Sequence, residues 1–233
     1  MNIEKKITEK DIIEGFDSYL KYISDIGCSG FDCSDEYLDR LKGWERNPPG
    51  HHETLENIRE DLGDCRRCGL CKNREHIVFG EGDPGARLIF VGEGPGFEED
   101  KQGRPFIGPA GQLLNKIITA INMTRESVYI CNIVKCRPPD NRNPAPDEAA
   151  ACKSFLIRQI NTIKPDFICA LGSVAARNLL DTTKTVSMLR NRFHAYESAR
   201  LIVTYHPAYL LRNPEKKKDV WEDMKMLMKA MES

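Results

Sequence analysis

Four stretches of this 233-residue chain carry side chains whose type and spacing could do chemistry. Cys65-Arg66-Arg67-Cys68 is a CxxC pair, and Cys136 and Cys152 supply two further thiols. Four thiolates can close a [4Fe-4S] site or a tetrahedral zinc site, and spacing does not separate the two metals. Gly92-Glu93-Gly94-Pro95-Gly96 makes a turn whose backbone can approach a ligand closely, with Glu93 inside it and Glu99 just beyond. Asn132 closes a short apolar run with a carboxamide, which can offer its C=O to an imide N–H and its NH2 to the neighbouring carbonyl. His206, in Tyr205-His206-Pro207, is the side-chain type best suited to donate a hydrogen bond or proton near neutral pH. Taken singly, each has an ordinary reading: the glycines a strand-to-helix connection, Asn132 a turn cap, His206 a surface residue.

The elements around these residues bring them to a common edge. Four apolar runs, Arg87 to Val91, Val128 to Asn132, Asp166 to Leu171 and Leu201 to Thr204, predict buried strands. Helical patterns lie between them at Leu113 to Ile121, Asp147 to Ile163 and Ser173 to Leu180. Strands alternating with helices predict an α/β fold, a three-layer α/β/α sandwich on a central, mostly parallel four-stranded sheet. Ligands in such folds sit beyond the carboxyl ends of the strands, where Glu93, Asn132 and His206 all fall. Upstream, apolar residues at helical spacing over Ile12 to Ile26 predict an amphipathic helix, Gly43 to His52 a linker, and Thr54 to Leu62 a second helix. Residues 1–60 are therefore expected to form a helical extension, and 61–233 the chemical domain.

Composition narrows the class. No apolar run approaches the roughly 20 residues needed to span a bilayer, and the charged start MNIEKKITEK is unlike a signal peptide. A cytoplasmic protein without membrane contact is expected, and there nine cysteines argue for metal ligation rather than disulfides. The net charge of −1 hides an asymmetry, because residues 1–64 carry −8 and residues 65–233 carry +7. The chemical part can therefore face nucleic acid.

Three segments, GEGPG with EED and GRPFIGPAGQLL, then CNIVKCRPPDNRNPAPDE, then YHPAYLLRNP, closely resemble the family 4, iron-sulfur uracil-DNA glycosylases over about residues 65–226. The resemblance implies an enzyme that hydrolyses the bond between uracil and deoxyribose in single- or double-stranded DNA. It implies Cys65, Cys68, Cys136 and Cys152 as ligands of a structural [4Fe-4S] cluster. It further implies Phe106 stacking on uracil, Asn132 reading its Watson–Crick edge, and His206 donating to the anion that develops on O2. Glu99 would crowd the C5 edge against thymine's methyl, Glu93 would hold water or stabilise the sugar cation, and Gly92 and Gly94 would line the base site. Leu210, Leu211 and Arg212 would wedge into the duplex, their other reading being a helix start packed on the core.

Two departures matter. The family usually has alanine where this chain has Gly94, and the better-known uracil glycosylases place a water-activating Asp there, so no general base is identified. Related covalent uracil-binding proteins carry a basic KRRIH insertion where this chain has CRPPDNRNP, which favours turnover over trapping. The rival readings are a non-catalytic or covalent uracil-DNA binder and an iron-sulfur electron carrier, the latter leaving Asn132 and His206 without a role. Cys71, Cys28 and Cys33 are expected to be free thiols and Cys169 a core residue. A monomer is expected, with the acidic extension as a candidate protein-docking segment.

Overall fold

A computed structural model describes residues 53–232 and, before them, only Lys21. The helix expected over Ile12 to Ile26, the linker, Cys28 and Cys33 lie outside the described residues, Lys21 apart. The first described helix, α1 (Leu55–Leu62), begins where Thr54 caps it: the Asn57 backbone N–H donates to Thr54 Oγ1 at 3.2 Å. Leu55, Ile58 and Leu62 form its buried stripe. Downstream come α2 (Phe97–Gln102), α3 (Pro109–Ala120), α4 (Pro146–Ile163), α5 (Gly172–Leu180), the short α6 (Val186–Leu189), α7 (Pro207–Arg212) and α8 (Lys217–Met231). The strands are β1 (Glu81–Gly82), β2 (Leu88–Gly92), β3 (Tyr129–Asn132), β4 (Phe167–Leu171), β5 (Phe193–Tyr196) and β6 (Ala199–Thr204).

The sheet has six strands in the order β1-β3-β2-β4-β6-β5, not the four expected. The four expected runs are its central, parallel strands, while β1 and β5 pair antiparallel at the edges. Neither edge strand has the apolar run that marks a buried strand: β1 is two residues long, and β5 is Phe-His-Ala-Tyr, half-exposed. In the centre, alternate residues feed opposite cores. Ile89, Val91, Cys131, Ile168, Ala170 and Val203 pack with the layer that includes α1, α4 and α5. Leu88, Phe90, Ile130, Cys169, Leu171 and Ile202 pack with α3, α7 and α8. Period-two alternation between two apolar faces is what produces three layers, and burying each large apolar side chain favours folding by about 2 kcal/mol.

Charge pairs then tie neighbouring elements together. Arg158 on α4 bonds Glu53 at 2.6 Å and also Asp61, holding α1 against α4 just ahead of the CxxC pair. On the other face, the fully buried Asp223 of α8 accepts from Thr204 Oγ1 at 2.7 Å, Arg190 Nε at 3.1 Å and the Asn191 backbone N–H at 3.1 Å. It thereby fixes the last residue of β6, two positions before His206. Among the described residues no helix is long and apolar enough to cross a membrane.

Removing the Asp223 carboxylate would take its acceptor from the Thr204 hydroxyl and the Asn191 N–H and leave Arg190 only Asp219 as a carboxylate partner among the described residues. Asp223→Ala is expected to lower stability by about 3 kcal/mol, the usual cost of breaking a buried charged network, measured by urea unfolding. A loss within experimental error of zero would show that this network does not hold the end of β6.

Candidate active site

The carboxyl ends of the central strands open into a cavity of about 730 Å³, lined by Glu93, Gly94, Glu99, Phe106, Asn132, His206 and Arg212 among others. Parallel strands made this convergence: β2 ends at Gly92, paired with Asn132 at the end of β3, while β6 delivers the chain into Tyr205 and His206.

Asn132 is 1% exposed, and its Oδ1 is the one buried side-chain oxygen or nitrogen among the described residues that has no hydrogen-bond partner. Leaving such a carbonyl unpaired typically costs about 1–3 kcal/mol, so it is an acceptor waiting for a donor. Gly92 explains how the amide and the ring of Phe106 come so close together. A Cβ at position 92 would stand 2.4 Å from both Asn132 Oδ1 and Phe106 Cζ. Gly92 does not line the cavity but makes the space in which its two principal side chains meet.

Phe106 is buried, with a positive φ of 51° that a side-chain-bearing residue adopts only under constraint. Three contacts impose it. Arg125 donates to the Phe106 carbonyl at 3.0 Å and also to the Pro105 carbonyl. Glu99, 9% exposed, accepts from the Ile107 and Gly108 backbone N–H groups, each at 2.9 Å, and from Gly96 N–H at 3.1 Å. Gly111 lets the backbone of Phe106 lie where a Cβ would be only 1.9 Å from its carbonyl oxygen. Glu99 thus lines the cavity as expected, but both of its oxygens are also engaged in clamping the two loops together.

His206 caps α7, its Nδ1 accepting from the Ala208 backbone N–H at 3.1 Å. With Nδ1 an acceptor, a neutral ring must carry its proton on Nε2. Burial holds the imidazole pKa down at about 4, so the ring is neutral at physiological pH. Its centroid lies 5.6 Å from that of Phe106, and Gly172, with φ +88°, makes room for it, since a Cβ there would lie 2.9 Å from His206 Cβ. Glu93 completes the lining, burial pushing its carboxyl pKa up. At Gly94 a Cβ would press the Val134 methyl at 2.8 Å, so the alanine usual in the family would need Val134 to shift.

Besides Gly92, one expected placement needs correction. Leu210 is 1% exposed and packed in the core, not presented on the surface; Leu211 is 47% exposed and Arg212 lines the cavity. The helix-start reading therefore holds for Leu210, because α7 turns that face onto α3 and α8. Three contributors went unnoticed in sequence. Gly111 and Gly172 followed from no spacing rule, and Arg125 sits outside every motif, although a glycine directly after a strand is a signal that could have flagged Gly172.

The cysteines lie to one side. Cys136 and Cys152 are buried, Cys65 and Cys68 partly so. Arg67 donates to Cys65 Sγ at 3.4 Å and Arg74 to Cys136 Sγ at 3.3 Å. The thiols are close enough to disfavour one another's ionisation, Cys136 feeling Cys152 and Cys68, and Cys152 feeling Cys68 and Cys65. Burial is the larger cause and pushes the Cys136 thiol to about 11. Behind them the fully buried Lys135 donates to the Asn132 carbonyl at 2.9 Å and to Gln159 Oε1 at 2.6 Å. Cys169 is a core residue, as expected.

Comparison with known proteins agrees with this geometry. Residues 79–225 match the model of the uracil DNA glycosylase superfamily. The chain is similar to the type-4 uracil-DNA glycosylase of Thermotoga maritima, 49% identical over 164 residues, 69% of this chain and 85% of that protein. It is 39% identical to the type-4 enzyme of Archaeoglobus fulgidus over 183 residues, 75% of this chain and 92% of that protein. To the type-5 uracil-DNA glycosylase of Pyrobaculum aerophilum it is 30% identical over 193 residues, 76% of this chain and 83% of that protein.

The state of His206 is directly testable. Its folded pKa lies below the unfolded value of 6.5, so the unfolded chain binds more protons between the two. Stability from the partly buried, neutral ring is therefore intact above pH 6.5 and declines as the pH falls toward 4. Nitrogen-15 NMR is expected to show a neutral ring protonated on Nε2 down to about pH 5. An inflection near 6.5 assigned to His206 would contradict the neutral arrangement.

Proposed function

The chain belongs to the uracil DNA glycosylase superfamily, and on that premise we propose that it removes uracil from DNA, receiving the flipped base in this cavity and hydrolysing its N-glycosidic bond. It is a DNA-repair uracil-DNA glycosylase, a hydrolase whose substrate is DNA. The observation that carries the assignment of the cavity is the unpartnered Asn132 carbonyl, which suits the N3–H of uracil. A base held inside duplex DNA is out of reach, so the nucleotide must leave the stack first. Leu211, exposed at the end of α7, and Arg212 are the residues suited to fill or brace the gap.

Within the cavity the roles divide. Phe106, fixed by Arg125, Glu99 and Gly111, offers its ring to the base. Asn132 accepts from N3–H and donates to O4, whereas cytosine presents the opposite pattern and leaves both amide groups unpaired. Glu99 holds the loop that crowds the base. As the C1′–N1 bond breaks, the electron pair leaves on uracil and negative charge grows on O2. The Nε2–H of His206 donates to that oxygen, a contact that gains strength as the charge develops. A neutral donor needs no proton transfer to begin. Glu93 faces the opposite charge, the cation forming on the sugar, and holds the water that adds to C1′; the proton this water releases balances the one the departing uracil anion takes up to leave as neutral uracil. Its carboxylate would be worth more there because few other groups solvate it.

The four-cysteine set fits a [4Fe-4S] cluster held by Cys65, Cys68, Cys136 and Cys152. Arginine donors on two sulfurs and the mutual influence of the thiols support this reading. When bound, the cluster supplies a structural cross-link between the segment before β1, the loop after β3 and α4. The electron-carrier reading makes no use of the cavity. A non-catalytic or covalent uracil binder is the reading that shares it, and release of free uracil with turnover separates the two.

Asn132 and His206 are expected to fail differently. Asn132→Asp turns the amide donor into an acceptor, so uracil excision falls by about two orders of magnitude or more while weak cytosine excision appears. His206→Ala leaves DNA binding nearly unchanged but slows the single-turnover step by about two to three orders of magnitude. Near-parental cleavage by His206→Ala, at one fixed salt concentration, would remove His206 from the chemistry.

Serine in place of any one of Cys65, Cys68, Cys136 or Cys152 is expected to abolish a broad visible absorption and the bound iron. Stoichiometric zinc without iron in anaerobically purified protein would overturn the cluster assignment.

A further inference from the structure

At the rim of the cavity, outside the base-binding residues, stands an aromatic side chain with no role so far. Phe97 opens α2, directly after the cavity-lining Gly96, and keeps 47% of its surface exposed. Single exposed apolar residues are common and mean little by themselves. This one is flanked by two cations. The guanidinium of Arg137 lies 5.1 Å from its ring centroid and the ammonium of Lys101 5.6 Å away. Neither cation pairs with a carboxylate among the described residues. Arg137 is held on its far side, Nε donating to Asn141 Oδ1 at 2.8 Å. Asn141 and Pro138, next to Arg137, both line the cavity. Ring and guanidinium therefore stand together next to cavity-lining residues, Gly96 in the β2–α2 turn on one side and Pro138 in the loop after β3 on the other.

We propose that Phe97 and Arg137 form a stacking subsite for the nucleobase adjacent to the flipped uracil on the same DNA strand, with Arg137 and Lys101 meeting its phosphates. Charge and placement argue for this occupant. Two cations without a carboxylate partner among the described residues, beside a half-exposed aromatic ring, fit a nucleotide, which brings a π-surface and an anion together, better than an apolar partner, which would leave both charges desolvated. A strand that delivers one nucleotide into the cavity must also carry its neighbours across the rim. Stacking of this kind tolerates any base, so the subsite would strengthen binding without reading sequence.

The inference rests on the reading of the cavity as a uracil site, and the experiment separates the two. Parental protein is first assayed for uracil release from an ordinary single-stranded oligonucleotide, where failure would sink the functional reading itself. Binding is then measured with an oligonucleotide carrying a hydrolysis-resistant 2′-fluoro-deoxyuridine and fluorescent 2-aminopurine on one side of it, then on the other. The parental protein is expected to quench 2-aminopurine on one side. Phe97→Ala is expected to abolish that quench and weaken binding about tenfold, the scale of one lost base stack. Phe97→Trp restores both, which a merely misfolded variant could not explain. Arg137→Gln is expected to lower the salt dependence of binding by about one phosphate contact. Parental-strength binding by Phe97→Ala, or no quench by the parental protein on either side, would overturn the subsite.

Discussion

Lys135 places an ammonium where its residue is fully buried, with two neutral oxygens and no carboxylate among the described residues as partners. A charge in that position costs several kcal/mol unless its surroundings compensate it. Around it the structure has gathered the carbonyl of Asn132, the amide of Gln159 and, close enough to be influenced by its charge, Cys131 and Cys152. Gln159 passes the network on to Tyr129 at 3.1 Å and to the Phe79 carbonyl at 3.0 Å. One cation thereby joins the end of β3, the segment leading to β1 and the middle of α4. If the four cysteines bind their proposed cluster as thiolates, they bring negative charge to the side of Lys135 that lacks it. The unpartnered Asn132 amide and the thiols are then two ends of one electrostatic arrangement.

The recognition loop depends on a second constraint, close approach. Phe106 holds a backbone conformation that costs about 1–3 kcal/mol, and no single contact explains why it persists. Arg125 grips its carbonyl, Glu99 grips the two following N–H groups, and Gly111 and Gly92 leave the space its backbone and ring occupy. Arg125 is itself held by Glu81 at 2.6 Å, so the short edge strand β1 has a function that its two residues would not suggest. The unpaired Asn132 carbonyl belongs to the same economy of strain. A site complementary to a ligand leaves its polar group unsatisfied until the ligand arrives.

His206 and Glu93 show burial acting on two ionisable groups in the same cavity. Desolvation disfavours the charged form of each, lowering the imidazole pKa and raising the carboxyl pKa. For the histidine the result is a neutral donor whose tautomer is set by the Ala208 N–H, suited to an anion that exists mainly in the transition state. For the carboxyl, the same desolvation makes its ionised form more responsive to a nearby cation. Positive charge is left at the rim, on Arg137, Lys101 and Arg212, where a phosphate backbone would pass.

Much of this was legible in the residues alone. The four central strands and their helices could be read because fully buried parallel strands must be continuous apolar runs, and Glu93, Asn132 and His206 could be brought together because parallel strands carry their carboxyl ends to one edge. Family motifs then supplied the proposed base-binding set and the four cysteines proposed as cluster ligands. What the sequence did not determine were matters of distance in space. Edge strands β1 and β5 bury too little to leave a pattern. Arg125, Gly111 and Gly172 act through contacts with residues that only folding brings near, and a glycine kept for close approach looks, in sequence, like any turn. Leu210 and Leu211 are adjacent and chemically alike, yet the rotation of α7 sends one into the core and the other to solvent. Nor does a sequence reveal that the Asn132 oxygen lacks a partner, since satisfaction of a polar group depends on every atom around it and on none of them alone.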